Sequence, residues 1–510
     1  MLARVQSAAL LGVEAVAVGV EVDVAPGLPC FEIVGLPGAS VRESRDRVRA
    51  AVRNAGLPFP LQRVTVNLAP AGLRKEGALF DLPIALALLA AAGIVPAASL
   101  RGRLAVGELS LDGVVRPVRG TVAIALLARA EGTSLLLPRE NLEEGEVVER
   151  VPLEPVASLA EAVSLLRGES AGRRARRPHP PGGDQPNPAL QGVDLAEVAG
   201  QAAGKRALEI AAAGGHSLLL VGPPGAGKTM LARRLPSLLP PLEREEALTV
   251  TRIHSVAGTL PPGLGLLSSR PFRAPHHSIS LAGLVGGGAG IRPGEVSLAH
   301  GGVLFLDEFT EFPTHLREAL RQPLEEGELV LCRATARVTL PARTLLVLAC
   351  NPCPCGYAGD DRIACRCRPG EVARYRQRLS GPLLDRIDLA VRLRRLSATE
   401  LVGAERGESS ATVRERVKRA RARQAERLGG AAGRTNAALL PSELQRWASL
   451  RPQAQAVLNR AVDHYRLSAR GYYRTLRVAR TIADLAGEEE IGPEHAGEAL
   501  EYRVERVVGA

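Results

Sequence analysis

The sequence predicts a multidomain α/β protein with an N-terminal α+β domain, a central parallel α/β domain and a C-terminal all-helical domain. Its 510 residues exceed what a single hydrophobic core usually organises. Residues 167–188 are dense in proline, glycine and arginine and lack apolar periodicity, which is typical of a linker. The apolar pattern also changes along the chain, from mixed strands and helices to alternating strands and helices, and finally to helices alone.

The same patterns divide the chain into residues 1–168, a linker at 169–188, a central domain at 189–397 and a helical domain at 398–510. In the first domain they predict strands at 15–24 and 64–68 and helices at 41–55 and 82–92. In the central domain, short apolar runs predict parallel strands at 217–221, 302–306 and 344–350. The last domain is predicted to hold helices at 412–428, 441–449, 452–467, 471–486 and 493–502.

Composition narrows the class of protein. Hydrophobic residues make up 46% and charged residues 23%, which excludes wholesale disorder. No apolar run reaches the roughly 20 residues that cross a bilayer, and the N-terminus lacks a signal peptide pattern, so we expect a cytoplasmic protein without a membrane partner. There the seven cysteines should be thiols or metal ligands. The net charge of +11 favours a polyanionic partner such as nucleic acid, although a biased genome also enriches arginine.

The clearest motif is GPPGAGKT, which follows an apolar strand and precedes a predicted helix. It matches the phosphate-binding pattern GxxxxGK(S/T), whose glycines let backbone N–H groups surround phosphate oxygens. The lysine neutralises the β- and γ-phosphates, and the threonine hydroxyl is a ligand of Mg²⁺. The motif predicts ATP and Mg²⁺ binding by Gly222, Pro223, Pro224, Gly225, Ala226, Gly227, Lys228 and Thr229.

Polar residues end two further predicted strands. The apolar run GVLFL is followed by Asp307 and Glu308, a pattern in which the aspartate holds Mg²⁺ and the glutamate polarises the attacking water. The run LLVLAC is followed by Asn351, whose amide would orient that water near the γ-phosphate. The alternative is that Asn351 only begins a loop before Pro352.

Taken together, several segments resemble the magnesium-chelatase-like AAA+ ATPases, and nearly the whole chain is similar to their YifB/ComM group. The segments are GQAAGKRALEIAAAGGHSLLLVGPPGAGKT, FRAPHHSIS, RPGEVSLAHGGVLFLDE, ACNPCPCGY and SGPLLDRIDL. The resemblance implies an N-terminal domain similar to the Lon-protease and ribosomal-protein fold, a AAA+ module and a helical lid. It also implies a homo-hexameric ring and a DNA helicase that promotes branch migration in recombination during natural transformation, alongside a possible recombinase partner.

The resemblance assigns roles to individual residues. It makes Lys228 and Thr229 the Walker A pair, Asp307 and Glu308 the Walker B pair, and Asn351 sensor 1. Arg386 becomes an arginine finger that acts on a neighbouring subunit, at the end of a predicted helix. Arg470 becomes the sensor-2 arginine that reaches the γ-phosphate from the lid, with Arg474 as its competitor. In a chain with 61 arginines, residue patterns alone do not single out these positions.

Two further segments concern DNA and metal. Residues 324–342 alternate like a β-hairpin, and Arg333 and Arg337 near its tip are candidates for DNA phosphate contacts in a ring pore, unless they are merely solvated. Cys353, Cys355, Cys365 and Cys367 supply enough thiolates for a tetrahedral Zn²⁺ site. CxC pairs are less usual than CxxC at such sites, so free thiols or redox chemistry stay open.

Two further features of the sequence, a histidine pair and a basic segment, indicate function less directly. His276 and His277 belong to the FRAPHHSIS segment and have no evident role beyond a structural one. Residues 411–427 carry five more basic than acidic side chains, which suits either nucleic acid or a solvated helix face.

Two other functions are alternatives. A Lon-like protease would need a nucleophile, but Leu79 occupies the position aligned with the catalytic serine. The motor subunit of a magnesium chelatase, or a protein-remodelling ATPase, would carry the same nucleotide motifs.

Overall fold

The structure is a computed structural model of the 510-residue chain. It describes residues 1–169, 193–261, 263–288, 291–333, 336–379, 383–397, 400, 407–429 and 434–508. Nearly all of the predicted linker at 169–188 lies outside the described residues. The side chain of Arg333, one of the predicted DNA contacts, lies outside them as well.

The N-terminal part is built on a mixed β-sheet covered by helices. Among its described strands the order is β3-β4-β2-β1-β5-β8-β9. These strands are β1 (Leu2–Leu11), β2 (Glu14–Ala25), β3 (Cys30–Val34), β4 (Arg63–Ala69), β5 (Arg103–Ala105), β8 (Ser134–Pro138) and β9 (Leu153–Val156), with a separate hairpin of β6 (Glu108–Leu109) and β7 (Val115–Arg116). The helices are α1 (Ala39–Asn54), α2 (Asp81–Ala91), α3 (Thr121–Glu131), α4 (Leu142–Glu146) and α5 (Leu159–Leu166).

Two elements show how this sequence produces the sheet and its cover. β2 alternates buried and more exposed residues, as expected of a strand with one face against the core. α2 (DLPIALALLAA) is buried on every side, which explains why it is apolar all round and has no polar face. It lies between α1 and the sheet.

The central part is a parallel sheet flanked by helices, which confirms the predicted fold class for this region. Its described strands have the order β11-β14-β17-β10-β18, and all neighbours pair in parallel. They are β10 (Leu218–Val221), β11 (Phe272–Arg273), β14 (Val303–Leu306), β17 (Leu345–Cys350) and β18 (Leu389–Arg392). Two-stranded ribbons are formed by β12 (Gly286–Gly287) with β13 (Arg292–Pro293) and by β15 (Glu328–Arg333) with β16 (Ala336–Pro341).

The helices around this sheet connect the strands. They are α6 (Ala202–Gly214), α7 (Lys228–Leu238), α8 (Arg244–Ala257), α9 (Leu281–Val285), α10 (Glu295–Leu298), α11 (Thr314–Ala319), α12 (Arg321–Glu326) and α13 (Pro369–Leu379). The predicted hairpin at 324–342 is shorter than expected, because residues 324–326 end α12 and the ribbon begins at Glu328. Gly327, at φ +69°, makes the turn between helix and strand.

The C-terminal part is helical, as predicted. Its described helices are α14 (Ser410–Arg427), α15 (Pro441–Trp447), α16 (Pro452–Tyr465), α17 (Ala469–Ala486), α18 (Pro493–Glu501) and α19 (Val504–Val508). A buried carboxylate joins them: Asp484 on α17 accepts hydrogen bonds from Asn436 (2.7 Å), Arg480 (3.2 Å) and Arg427 on α14. Because the buried carboxylate has several hydrogen-bonded partners, these bonds offset its desolvation cost, and the network fixes the helices against one another.

The N-terminal part packs directly on the central part. Ser255 at the end of α8 accepts from the Gly120 N–H through its carbonyl oxygen (3.1 Å), and its hydroxyl donates to Glu144. The β1–β2 turn contributes Val13, which packs in one apolar cluster with Val338 and Leu340 of β16. The turn of the N-terminal sheet therefore supports the base of the β15–β16 ribbon.

None of the helices in the described ranges combines the length and apolar character that a membrane span requires.

Gly12 provides a test of the contact between the turn and the ribbon. A Cβ at Gly12 would lie 2.2 Å from Cγ1 of Val338, and the residue has φ +63°. We expect Gly12→Ala to cost about 1–3 kcal/mol for overpacking in addition to backbone strain, and to lower the thermal unfolding midpoint. Gly56→Ala is the matched control, because Gly56 has φ +72° but nothing within 4 Å of the added Cβ. Equal destabilisation by the two variants would show that the turn is not closely packed.

Candidate functional site

The GPPGAGKT segment forms a loop between β10 and the N-terminus of α7. Gly225 and Gly227 adopt φ of +78° and +89°, a conformation that favours glycine, and α7 begins at Lys228. The loop therefore presents backbone N–H groups and the positive end of a helix dipole to one point. This is the geometry that phosphate groups need.

Lys228 points into this loop. Its Nζ donates to the carbonyl oxygens of Gly222 (2.6 Å) and Pro223 (3.0 Å) and to Oδ1 of Asn351 (3.0 Å). Burial lowers the pKa of Lys228, and the Asp307 carboxylate opposes that change. The structure thus brings the predicted lysine and the predicted sensor asparagine into direct contact across 123 positions of sequence.

Thr229 and Asp307 also meet. The Thr229 hydroxyl, in the first turn of α7, donates to Oδ2 of Asp307, which directly follows β14, at 2.7 Å. A hydroxyl and a carboxylate this close are the kind of oxygen ligands that Mg²⁺ prefers, and water and phosphate oxygens would supply its remaining ligands. The donor set therefore fits the predicted ion.

Glu308 has an unusual backbone. It adopts φ +50°, which is uncommon for a residue other than glycine, and its side chain is 60% exposed. Nδ1 of His277 lies 3.5 Å from its carboxylate. Sequence reasoning gave His277 no role, and the contact joins positions 31 residues apart that no local pattern connects. His276 differs, because its Nδ1 pairs with the Ser278 hydroxyl (2.8 Å) within its own turn.

Arg386 lies at the opposite edge of the sheet from the phosphate-binding loop. The Ser217 hydroxyl, just before β10, donates to the Arg386 carbonyl oxygen at 2.8 Å, whereas the loop follows the other end of β10 at Gly222. Ser217 and Gly222 are five residue steps apart along β10, a distance of about 16 Å, which is beyond the reach of an arginine side chain. The predicted helix before Arg386 is a short 3₁₀ turn, Leu384–Arg386, and not an α-helix.

Arg470 lies at this same amino-end edge. Nε of Arg386 donates to Oε1 of Glu325 at 2.8 Å, and Arg470 approaches the same oxygen at 3.9 Å. The Arg386 guanidinium lowers the pKa of the Glu325 carboxyl. The structure therefore groups the two predicted arginines with each other, around an acid that sequence reasoning missed, and not with Lys228.

Arg474, the predicted competitor of Arg470, is buried. It donates to the carbonyl oxygens of Leu384 (3.2 Å) and Ile387 (2.8 Å). Its guanidinium thus caps the backbone of the turn that carries Arg386, which leaves Arg470 as the more exposed of the two arginines.

The four predicted cysteine ligands converge. All four Sγ atoms lie within 4.8 Å of one another, and the Sγ atoms of Cys353, Cys355 and Cys365 are 3.4–3.7 Å apart. Tetrahedral zinc, with Zn–S bonds of about 2.3 Å, would place sulfurs about 3.8 Å apart, so this donor set fits Zn²⁺. Cys350 is not part of the group: it ends β17 inside the core, and burial raises its pKa to about 12.

The cysteine loop rests on the phosphate-binding loop. A Cβ at Gly356 would lie 2.7 Å from Cδ of Pro224, so the Gly356 backbone is in close contact with the proline ring. Arg395 donates to the Pro224 carbonyl oxygen (3.2 Å) while its guanidinium lies over the Tyr357 ring, 5.7 Å from the ring centre. The position of the cysteine loop is therefore linked to the shape of the nucleotide site.

The remaining predicted positions lie on the β15–β16 ribbon and in the N-terminal part. Arg337 is exposed on β16, opposite Cys332. Leu79 is 7% exposed within the N-terminal core, so an apolar side chain fills the position aligned with a protease serine. The nearby Lys75 is fully buried and donates to the carbonyl oxygens of Gly35 (3.0 Å) and Pro70.

Three family profiles match the chain. They are described as magnesium chelatase subunit ChlI (residues 194–401), subunit ChlI of Mg-chelatase (20–141) and the C-terminal part of magnesium chelatase subunit ChlI (407–503). The match indicates an ATPase of the AAA+ type.

Full-length relatives agree with these profiles. The chain is 46% identical over 508 residues to an uncharacterized protein of Mycobacterium tuberculosis, covering 98% of both chains. It is 44% identical over 508 residues to YifB of Escherichia coli and 44% identical over 504 residues to the competence protein ComM of Haemophilus influenzae, covering 98% of this chain and 97% of each relative. The resemblance found in the sequence is thereby confirmed, and the chain belongs to the YifB/ComM family of magnesium-chelatase-like proteins.

Proposed function

We propose that this protein is an ATP-hydrolysing ring motor that acts on DNA and promotes branch migration in recombination. The observation that carries the proposal is the separation of its catalytic groups: one set surrounds the phosphate-binding loop, and a second set lies at the far edge of the sheet. A relative named a competence protein supports a role in natural transformation. A cytoplasmic location and a recombinase partner follow from the same resemblance.

The first set of groups would act on the nucleotide bound by its own chain. Thr229 and Asp307 would hold Mg²⁺, which neutralises phosphate charge when bound. The Lys228 ammonium would exchange its carbonyl partners for the β- and γ-phosphates. Glu308 would accept the proton of the attacking water, and the Asn351 amide, already 3.0 Å from Lys228, would orient that water.

The second set would act on a neighbour. Since Arg386 lies about 16 Å from its own phosphate-binding loop by strand length, it reaches a γ-phosphate only if another copy supplies one. Arg470 lies beside it, and in this arrangement it too would act in trans, which modifies the expectation that it reaches its own nucleotide from the lid. A closed homo-hexamer satisfies this head-to-tail requirement, because heterologous contacts generate rings.

The β15–β16 ribbon would contact DNA. Arg337 and Arg333 lie near its tip, and the net charge of +11 favours a polyanion. The base of the ribbon packs against Val13 of the N-terminal sheet, so a movement of the ribbon would displace the turn that carries Val13. We propose the divisions 1–168, 169–188, 189–397 and 398–510, with a Lon-protease-like fold in the first domain and a lid in the last.

Glu308→Gln tests the motor assignment. The amide keeps the size of the side chain but does not accept the proton, so we expect ATP binding to persist while hydrolysis falls about 10²–10⁴-fold. Wild-type hydrolysis should rise with a synthetic four-way DNA junction, accompanied by ATP-dependent strand exchange that the variant lacks. Intact hydrolysis with no response to DNA would instead favour a chelatase-like or protein-remodelling motor.

Mixing two inactive variants tests the action in trans. Arg386→Ala should retain nucleotide binding yet lose about 10³-fold or more in turnover, and Lys228→Ala should not bind nucleotide productively. In mixed rings about a quarter of the sites pair an intact loop with an intact neighbouring arginine, so a 1:1 mixture should recover measurable activity. Mixtures no more active than the single variants would contradict the assignment.

We also propose that Cys353, Cys355, Cys365 and Cys367 hold a structural zinc ion. The ion would fix the loop that follows Asn351 and that packs on Pro224, so it would act on nucleotide binding through backbone position alone.

Zinc content gives a direct test. We expect about one zinc per chain in purified protein by elemental mass spectrometry, and less in Cys365→Ser. We expect that variant also to bind nucleotide more weakly, because it loses the metal. Cys30→Ser, which removes a thiol from the N-terminal part, is the control and should change neither value. A full zinc complement in Cys365→Ser would show that Cys365 is not a zinc ligand.

A further inference from the structure

A second basic feature lies on the central part of the chain, between the turn that follows Glu308 and the turn that carries Arg386. It is an open cleft of about 490 Å³ between α11–α12 and α13. Arginines border it from both sides: Arg317 and Arg321 from α11–α12, and Arg374 and Arg378 from α13. We call it the arginine cleft.

The arginines are arranged in two rows. Arg374 and Arg378 are four residues apart on one helix, about 6 Å along its axis, so their side chains leave the same face. Arg317 and Arg321 have the same spacing along α11 and α12, which are joined at Leu320 in helical conformation. The two rows face each other across the opening.

Nearby carboxylates neutralise only part of this positive charge. Among the described residues that line the cleft, Glu318 is the one carboxylate against four arginines. The Glu325 carboxylate lies close enough to act on Arg321, but it also accepts a hydrogen bond from Arg386 and lies near Arg470. Nε of Arg317 is buried without a hydrogen-bond partner, and burial together with the Arg378 guanidinium lowers the pKa of Arg317. Such an excess of charge favours an anionic ligand.

The floor of the cleft is rigid. Tyr375 on α13 accepts a hydrogen bond from the Thr310 hydroxyl at 2.8 Å, which ties that helix to the turn after Glu308. The guanidinium of Arg317 lies 5.9 Å from the centre of the Phe309 ring, which also lines the cleft. These contacts hold α13 and Arg317 beside the turn after Glu308, which reduces the ordering cost of binding an anion there.

We propose that the arginine cleft binds the phosphate backbone of a nucleic acid strand. Four arginines spread along two helices suit a row of charges better than a single anion, which convergent donors would surround. The inference rests on the proposed action on DNA and adds a contact outside the ribbon. A strand held there would lie next to the turn that follows Glu308, so DNA occupancy would adjoin the hydrolytic site.

The test variant is Arg374→Gln/Arg378→Gln, which replaces the two exposed arginines of the arginine cleft. Its matched control is Arg460→Gln/Arg42→Gln, because Arg460 and Arg374 both donate Nε to a carbonyl one turn earlier in their own helix, at 3.3 Å, and Arg42 is an exposed arginine of α1 in the N-terminal part. Binding of a fluorescein-labelled single-stranded oligonucleotide is measured against salt concentration. Loss of two phosphate contacts should lower the slope of log affinity against log salt by about 1.4, with unchanged nucleotide binding.

The outcomes separate the two proposals. Control variants should bind the oligonucleotide like the wild type. If the wild type binds DNA but the cleft variant keeps its salt slope, the cleft proposal fails and the proposed function stands. If the wild type does not bind DNA at all, the proposed function fails with it. If DNA binding is unchanged while ATP turnover in assembled rings falls, the arginines serve a neighbour's nucleotide, which also overturns the inference.

Discussion

The parallel pairing of β10 with β17 and β18 is the constraint on which the proposed chemistry depends. Its register places Val221 opposite Cys350 and Arg392, so the segments that follow these strands leave the sheet at one edge. Lys228 and Asn351 meet there because of this register. The same pairing places Arg386, just before β18, at the opposite end of the strands. The sheet therefore brings the groups around Lys228 together and keeps Arg386 and Arg470 apart from them.

Several features converge on the residues next to Asn351. The cysteine loop begins two positions later and packs on Pro224, and the β15–β16 ribbon immediately precedes the strand that carries the asparagine. A change in either neighbour would be transmitted through backbone that already touches the nucleotide loop. Under the proposed function, this continuity would link DNA or zinc binding to hydrolysis through the backbone, without a separate pathway of side chains.

Local signals in the sequence were sufficient for much of this account. Short apolar runs predicted β10, β14 and β17, and the lysine motif predicted the loop that follows β10. The pairing of Glu308 with His277 and of Glu325 with Arg386 was not predictable, because each depends on segments that only the tertiary fold brings together. Periodicity also failed at the turn before Arg386, where three residues carry too little pattern to separate a 3₁₀ turn from an α-helix.

The central claim is that each hydrolytic site is completed by a neighbouring chain. The most direct test measures ATP turnover per chain across a range of protein concentrations, with oligomeric state followed by analytical ultracentrifugation in the same buffer. The account predicts little turnover in the monomer and a cooperative rise as rings form, because only assembly supplies Arg386 to a γ-phosphate. Full turnover by the monomer would contradict it, since the site around Lys228 would then be complete within one chain.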